Sequence, residues 1–322
     1  MMAQHILYGR KKPTTFQTFL CGTPARDYVF QQTPYMEQIK QAAKLLKEAD
    51  YILIGAGAGL SAAAGLTMGG ARFTENFKEF IDKYGGPYMK DMYSAGFYPF
   101  PTEEAKWGYW SKCGMVNRIL PGALPLYEKV YRLAEGKKHF VLTTNVDHQF
   151  FLAGFDEAKV FATQGDYGLI QCQRGCHPKT YDALKLFGQM AQAREDCQVP
   201  SHMVPKCPVC AGPMEMNLRS DQYFVEDEAW HEAERRFGEF LRECEDKKTV
   251  LLELGVGFNT PTIIRFPFEK LVREHGDMSL IRLNLDEAVV PEEFGERVVG
   301  INEDMAVSIE DLLKAAGIDR LE

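Results

Sequence analysis

Four cysteines carry the most specific chemical signal in the chain. Cys172 and Cys176 are separated by three residues, Cys207 and Cys210 by two, and residues 177–206 lie between the pairs. Two close thiol pairs supply the corners of a tetrahedron, the arrangement in which structural zinc takes four thiolates. Proline and glycine in CPVCAGP suit the tight loop of a zinc knuckle. The first pair is one residue wider than the usual spacing, and His177 beside Cys176 is an alternative ligand. Free thiols and a disulfide are the other readings; a disulfide does not suit a chain with no export signal. The second signal is IGAGAGLSAAAG at 54–65, which follows the apolar run YILI. Strand, glycine turn and helix together let a backbone approach a pyrophosphate. Gly55, Gly57 and Gly59 supply the close approach, Ala56 joins them as a candidate contact, and Ser61 is suited to cap the helix or bond a phosphate. The match to G-x-G-x-x-G is imperfect, with Ala62 in third place and no acidic residue ending a second strand. A βα turn that holds no ligand is the alternative. No Gly-Lys-Ser/Thr follows, which excludes a P-loop.

These residues need elements to position them. Residues 34–48 carry apolar side chains at helical spacing. Short β-rich runs follow at YILIGAG, HFVLTTN, KVFATQG, TVLLELGVG, SLIRLN and RVVGIN, with helical segments between. That alternation predicts an α/β fold: a Rossmann-like parallel six-stranded sheet with helices on both faces. Ligands on such sheets bind at the carboxyl ends of the strands. Here those ends read GAGAG, TTNVD, ATQGD, GVGFN and LNLDE. Two stretches break the rhythm: a helical and loop-rich insertion at 66–125, and a small cysteine module at 169–225. The expected organisation is a lead-in at 1–33, the first part of the sheet domain at 34–168, the module at 169–225, and the second part of the sheet domain at 226–322.

Composition narrows the function classes. The net charge is −8, which argues against a broad nucleic-acid surface, because phosphate binding needs clustered basic charge. No apolar run is long enough to span a bilayer, and the first residues lack the apolar core of a secretory signal. A cytoplasmic protein with neither nucleic-acid nor membrane partners is expected.

Taken in order, the blocks resemble one family. GAGAGLSAAAGL resembles the sirtuin signature GAGxSxxxGI, and TTNVD resembles the sirtuin TQNID. FATQGD stands at the ELHG segment, the cysteine pairs at the zinc ribbon, GVGFN at the GTS segment and RLNLD at the INL segment. The resemblance covers roughly residues 34–318 and implies NAD in the cleft between the sheet domain and the zinc module. It implies that Asn145 and Asp147 form the nicotinamide pocket, with Asn145 holding the ribose or a water. It assigns Arg72 to a phosphate or the nearby ribose, with a surface salt bridge as the alternative, and Phe73 with Phe77 to cover the reactive sugar, although both also read as core. Gly255, Gly257, Asn259, Asn284 and Asp286 join the candidate NAD contacts, and Arg265 is a candidate for NAD or an acidic partner.

The departures from the family pattern are informative. Sirtuin deacylases use the ELHG histidine as a general base on the NAD ribose; here Gln164 stands in its place. An amide has no useful basicity near neutral pH, so it orients a hydroxyl without taking its proton. His148, next to Asp147, is set aside as a replacement base, because successive side chains diverge at a strand end. Gln164, GGARF, DMYSAGFYPF and NTPTIIRFPFE are similar to the macrodomain-linked, or class M, sirtuins. That resemblance implies a protein ADP-ribosyltransferase using Asn145, Asp147 and Gln164. It also implies a lipoylated glycine-cleavage H-like carrier protein as substrate, and a companion macrodomain hydrolase. A conventional deacylase and a catalytically silent NAD-sensing module are the alternatives.

Overall fold

The computed structural model describes residues 28–258 and 261–318, together with the backbone of 19–20 and 23–24. Six parallel strands form the main sheet: β1 (Tyr51–Ala56), β2 (Lys138–Thr143), β3 (Val160–Ala162), β7 (Thr249–Leu254), β8 (Met278–Leu283) and β9 (Val298–Ile301), in the spatial order β9-β8-β7-β1-β2-β3. These are the six runs expected from the sequence. β1 and β7 are buried along their whole lengths, as parallel strands covered on both faces must be. The two faces sort by alternation along β1. Ile52, Ile54 and Ala56 pack with α1 (Tyr35–Glu48), α7 (Pro125–Ala134) and α12 (Met305–Ala316). Tyr51 and Leu53 pack with α10 (Glu228–Glu243) and α11 (Arg265–Glu274). The Asp304 side chain accepts from Ala306 N at 2.7 Å and caps α12, as a helix-starting aspartate should.

Register brings the strand ends into one row. Ala162 pairs with Thr143, Thr143 with Ala56, Ala56 with Leu254, Leu254 with Leu283, and Leu283 with Ile301. Every loop expected to carry chemistry leaves the sheet from this row. The chain moves outward from β1 to β2 and β3, then returns to lay β7 on the other side of β1. The β1/β7 boundary is therefore the topological switch point, where open α/β sheets bind ligands.

The insertion and the cysteine module pack together as a second lobe. Within the insertion, α3 (Gly70–Asn76), α4 (Lys78–Tyr84), α5 (Met92–Gly96) and α6 (Glu103–Gly114) enclose an aromatic cluster of Phe73, Phe77, Phe80 and Tyr109. The module contributes an antiparallel sheet of β4 (Gly165–Cys172), β5 (Thr180–Asp182) and β6 (Met214–Leu218), with α9 (Leu184–Ala193) beside it. Trp107 of α6 shares one buried cluster with Phe187, Met190 and Met216. β4 begins at Gly165, so the second lobe grows directly out of the Gln164 segment. Among the described residues, no helix is long and apolar enough to cross a membrane.

Candidate active site and metal centre

The switch point is closed by backbone packed on backbone. Gly255 has φ +62°, and a Cβ there would meet Leu60 N at 2.4 Å; a Cβ on Gly57 or Gly59 would meet Gly255 O at 2.8 Å. Gly57 N donates to Leu254 O and Gly59 N to Gly255 O, both at 3.0 Å. These two amides serve the fold, and do not point freely at a phosphate as the glycine pattern suggested. Gly55 lies inside β1, where a Cβ would meet Ile264 and Phe268 side chains at 2.5–2.7 Å; its bareness admits α11 and not a ligand. Ala56 is fully buried at the end of the same strand. Gly257 lies against Glu287, whose Oε2 accepts from Phe258 N at 2.9 Å. Asn284 donates to Val256 O at 3.1 Å and accepts from the amides of Asp286 and Glu287, so it braces the loops after β7 and β8. Asp286 is exposed on that rim. Asn259 lies outside the described residues.

After β2 the polar groups converge. Asp147 is buried, with Ser61 Oγ at 2.5 Å and Tyr127 OH at 3.3 Å from its Oδ2, while Gln149 N donates to Oδ1 at 3.1 Å. Asn145 Nδ2 donates to Tyr127 OH at 3.1 Å. Burial pushes the Asp147 carboxyl above its ordinary range, against the pull of these donors. Burial likewise raises the Tyr127 hydroxyl well above its usual value, so it stays a donor. Ser61 is thus neither a helix cap nor a free phosphate ligand; α2 (Ala58–Ala63) begins at Gly57 without a side-chain cap. Tyr127 is the central residue that sequence reading missed. It lies on the buried face of α7 and looks like an ordinary core aromatic.

Gln164 is half-buried between β3 and β4, and its Nε2 donates to Thr163 Oγ1 at 3.1 Å. His148 does face this region, contrary to expectation. Its backbone is left-handed at φ +65°, so the simple alternation of a strand end does not apply. It lines a cavity of about 10 Å³ with Asn145, Asp147, Gly165 and Asp166. On the insertion, half-buried Arg72 donates to Thr67 O at 2.9 Å and Val116 O at 2.7 Å, and burial lowers its pKa. It makes no ion pair among the described residues. Its neighbour Phe73 is fully buried and stacked on Phe77 at 5.4 Å, so it presents no ring to a ligand. Arg265 is also fully buried, bonded to Val256 O and Glu287 O at 2.9 and 2.5 Å, and cannot reach an acidic partner.

The four expected cysteines meet in the second lobe, with all Sγ atoms within 4.8 Å of one another. Cys172 and Cys210 are 3.7 Å apart, Cys176 and Cys207 3.6 Å. Those separations exclude S–S bonds and match the edge of a tetrahedron with zinc–sulfur bonds of about 2.3 Å. The set fits structural zinc. His177 Nδ1 lies 3.1 Å from Cys176 Sγ, while its Nε2 meets Tyr181 OH at 2.7 Å, so the ring stands beside the thiols and is tied to β5.

With this geometry in place, comparison with known proteins identifies the family. No family model matches the chain. A protein ADP-ribosyltransferase of Staphylococcus aureus is 36% identical over 282 residues, covering 86% of this chain and 89% of that protein. The chain belongs to the protein ADP-ribosyltransferases built on the sirtuin fold. A probable bifunctional ADP-ribose hydrolase/ADP-ribosyltransferase of Fusarium oxysporum f. sp. cubense is 33% identical over 274 residues; the match spans 78% of this chain and 43% of that larger protein. Among solved structures, a sirtuin from work on substrate affinity superposes with a TM-score of 0.55 at 19% identity, covering 85% of this chain and 98% of that one. A Sir2 structure with a p53 peptide and NAD+ gives 0.53 at 18%, covering 87% and 99%. At these identities the solved structures speak for the sirtuin fold alone.

Proposed function

We propose that this enzyme cleaves nicotinamide from NAD and transfers ADP-ribose to a lipoylated glycine-cleavage H-like carrier protein, with a companion macrodomain hydrolase reversing the modification. One observation carries the choice of transfer over deacylation. The Asn145–Asp147–Tyr127–Ser61 network is complete, while Gln164 stands where sirtuin deacylases carry a histidine. Cleaving nicotinamide needs a pocket that holds the carboxamide and the ribose. Resolving an acyl adduct needs a base as well, and losing a positioned base costs roughly 10² to 10⁴ in rate. In this reading Asp147 accepts from the nicotinamide carboxamide, Asn145 holds the ribose, and Gln164 aligns the ribose hydroxyls. Arg72 offers the phosphates a cation that no carboxylate among the described residues answers. The rim of Gly255, Gly257, Asn284 and Asp286 borders the adenosine. NAD supplies the electrophilic sugar; the chain positions it and excludes water. Zinc on Cys172, Cys176, Cys207 and Cys210 holds the second lobe. The setting is the cytoplasm, where thiols stay reduced and free for metal.

The test is NAD turnover with two acceptors side by side, an acyl-lysine peptide and the lipoylated carrier. Nicotinamide release coupled to the carrier and not to the peptide is expected. Robust deacylation of the peptide would overturn the reading in favour of a conventional sirtuin.

A further inference from the structure

We propose that His148, oriented by Asp166, is the base that takes the proton from the acceptor during ADP-ribosyl transfer, and that the acceptor is therefore a protonated heteroatom and not a carboxylate. This rests on the transferase reading above and adds to it. His148 Nδ1 lies 2.5 Å from Asp166 Oδ2. The other oxygen of Asp166 accepts from Arg118 Nε at 3.1 Å and Gly168 N at 2.6 Å. With one oxygen held by a guanidinium and an amide, Asp166 offers its other oxygen to the imidazole, and that bond sets the ring proton on Nδ1. Nε2 is then left with its lone pair, the state a general base needs. The ring is fixed from the side as well, stacked on Phe151 of the short helix Gln149–Leu152 with centroids 4.3 Å apart.

The backbone points the same way. A non-glycine residue at φ +65° lies in the left-handed region and persists where surrounding structure enforces it. That backbone places His148 in the wall of the cavity that Asn145 and Asp147 also line. The charged groups around it are Asp166 of β4, Asp147 of its own loop, and Arg118 through Asp166. Gln164 is an amide and cannot take a proton, whereas His148 brings an imidazole into the wall of that cavity, beside the carboxyl groups of Asp147 and Asp166.

The acceptor heteroatom forms a bond to C1′ of the ribose while the bond from C1′ to the nicotinamide nitrogen breaks. The bonding pair leaves with nicotinamide, which departs neutral. The acceptor proton passes to His148 Nε2 and then to water.

The experiment uses His148→Gly, which tolerates the positive φ and opens space for a free imidazole. Transfer to the lipoylated carrier, read by intact mass, is expected to fall roughly 10²-fold and to recover in part with added imidazole, while calorimetric NAD affinity is retained. In parallel, nitrogen NMR of the wild-type imidazole should show Nδ1 protonated and Nε2 bare, with the tautomers mixing in Asp166→Asn. Undiminished transfer by His148→Gly, a loss that imidazole does not restore, or an Nε2-protonated wild-type ring would each overturn the assignment alone. A wild-type enzyme that forms no adduct on the carrier would overturn the functional reading and this inference with it.

Discussion

Arg282 and Arg72 stand in opposite electrical situations. Arg282 is fully buried in β8 and meets Glu253 at 2.7 and 2.8 Å and Glu269 at 2.9 Å; Tyr28 OH donates to the same Glu269 at 2.5 Å. Arg265 lies in the same layer with carbonyl partners, its pKa pushed down to about 10 by burial and then by Arg282. Two arginines and two glutamates thus cancel inside the sheet domain. Arg72, on the second lobe, bonds among the described residues to carbonyls and a methionine sulfur, with no carboxylate partner. A buried charge is tolerated when its counter-charge is built in. A half-buried arginine without one is set to receive an anion from outside. The first region is internal architecture; the second, under the proposed function, borders the NAD phosphates.

Five changes would break or sharpen that contrast. Zinc removal has the largest expected effect, because the thiol set is completed only by a metal. Chelation should cost on the order of 10 kcal/mol and melt the second lobe before the sheet domain, as followed by hydrogen exchange. Arg282→Leu strands Glu253 and Glu269 and should destabilise by about 3–5 kcal/mol in urea unfolding. Arg72→Gln should lower stability by only about 1 kcal/mol, yet weaken NAD binding roughly ten-fold or more by calorimetry, because charged hydrogen bonds are worth about 1.5–3 kcal/mol. Equal losses of stability for the two arginine variants would erase the contrast. Tyr127→Phe removes the hydroxyl shared by Ser61, Asn145 and Asp147. A loss of about 1 kcal/mol is expected, together with slower nicotinamide release.

Asp147→Asn is the finest probe. The folded-state pKa of Asp147 is raised by burial, so its contribution is most favourable below the unfolded pKa and is lost as pH rises through the folded pKa. Relative to wild type, the variant should therefore gain stability at neutral pH, with the gain fading as pH falls through that window. A gain that grows on acidification would contradict the assignment of burial as the dominant cause.

The six strands could be read from the sequence because each is a short apolar run ending in Gly, Asn or Thr, a pattern that buried parallel strands impose. The cysteine cluster was readable because its ligands come as local pairs. What escaped is held by long-range contacts between ordinary-looking residues. Tyr127 meets Ser61 across 66 positions, and Arg118 meets Asp166 across 48. The glycines were read for ligand approach, whereas Gly55 admits helix α11 and Gly57 and Gly59 admit the Gly255 turn. His148 was set aside on a strand-end rule that its left-handed backbone does not obey.

The most direct test of transfer from the Asn145 and Asp147 pocket is intact-mass spectrometry of the lipoylated carrier after incubation with NAD and either wild-type enzyme or Asn145→Ala. An unlipoylated carrier runs beside it. An ADP-ribose-sized gain on the lipoylated carrier with wild type only is the predicted result. An equal gain with Asn145→Ala, or none with wild type while NAD binds intact, would contradict it.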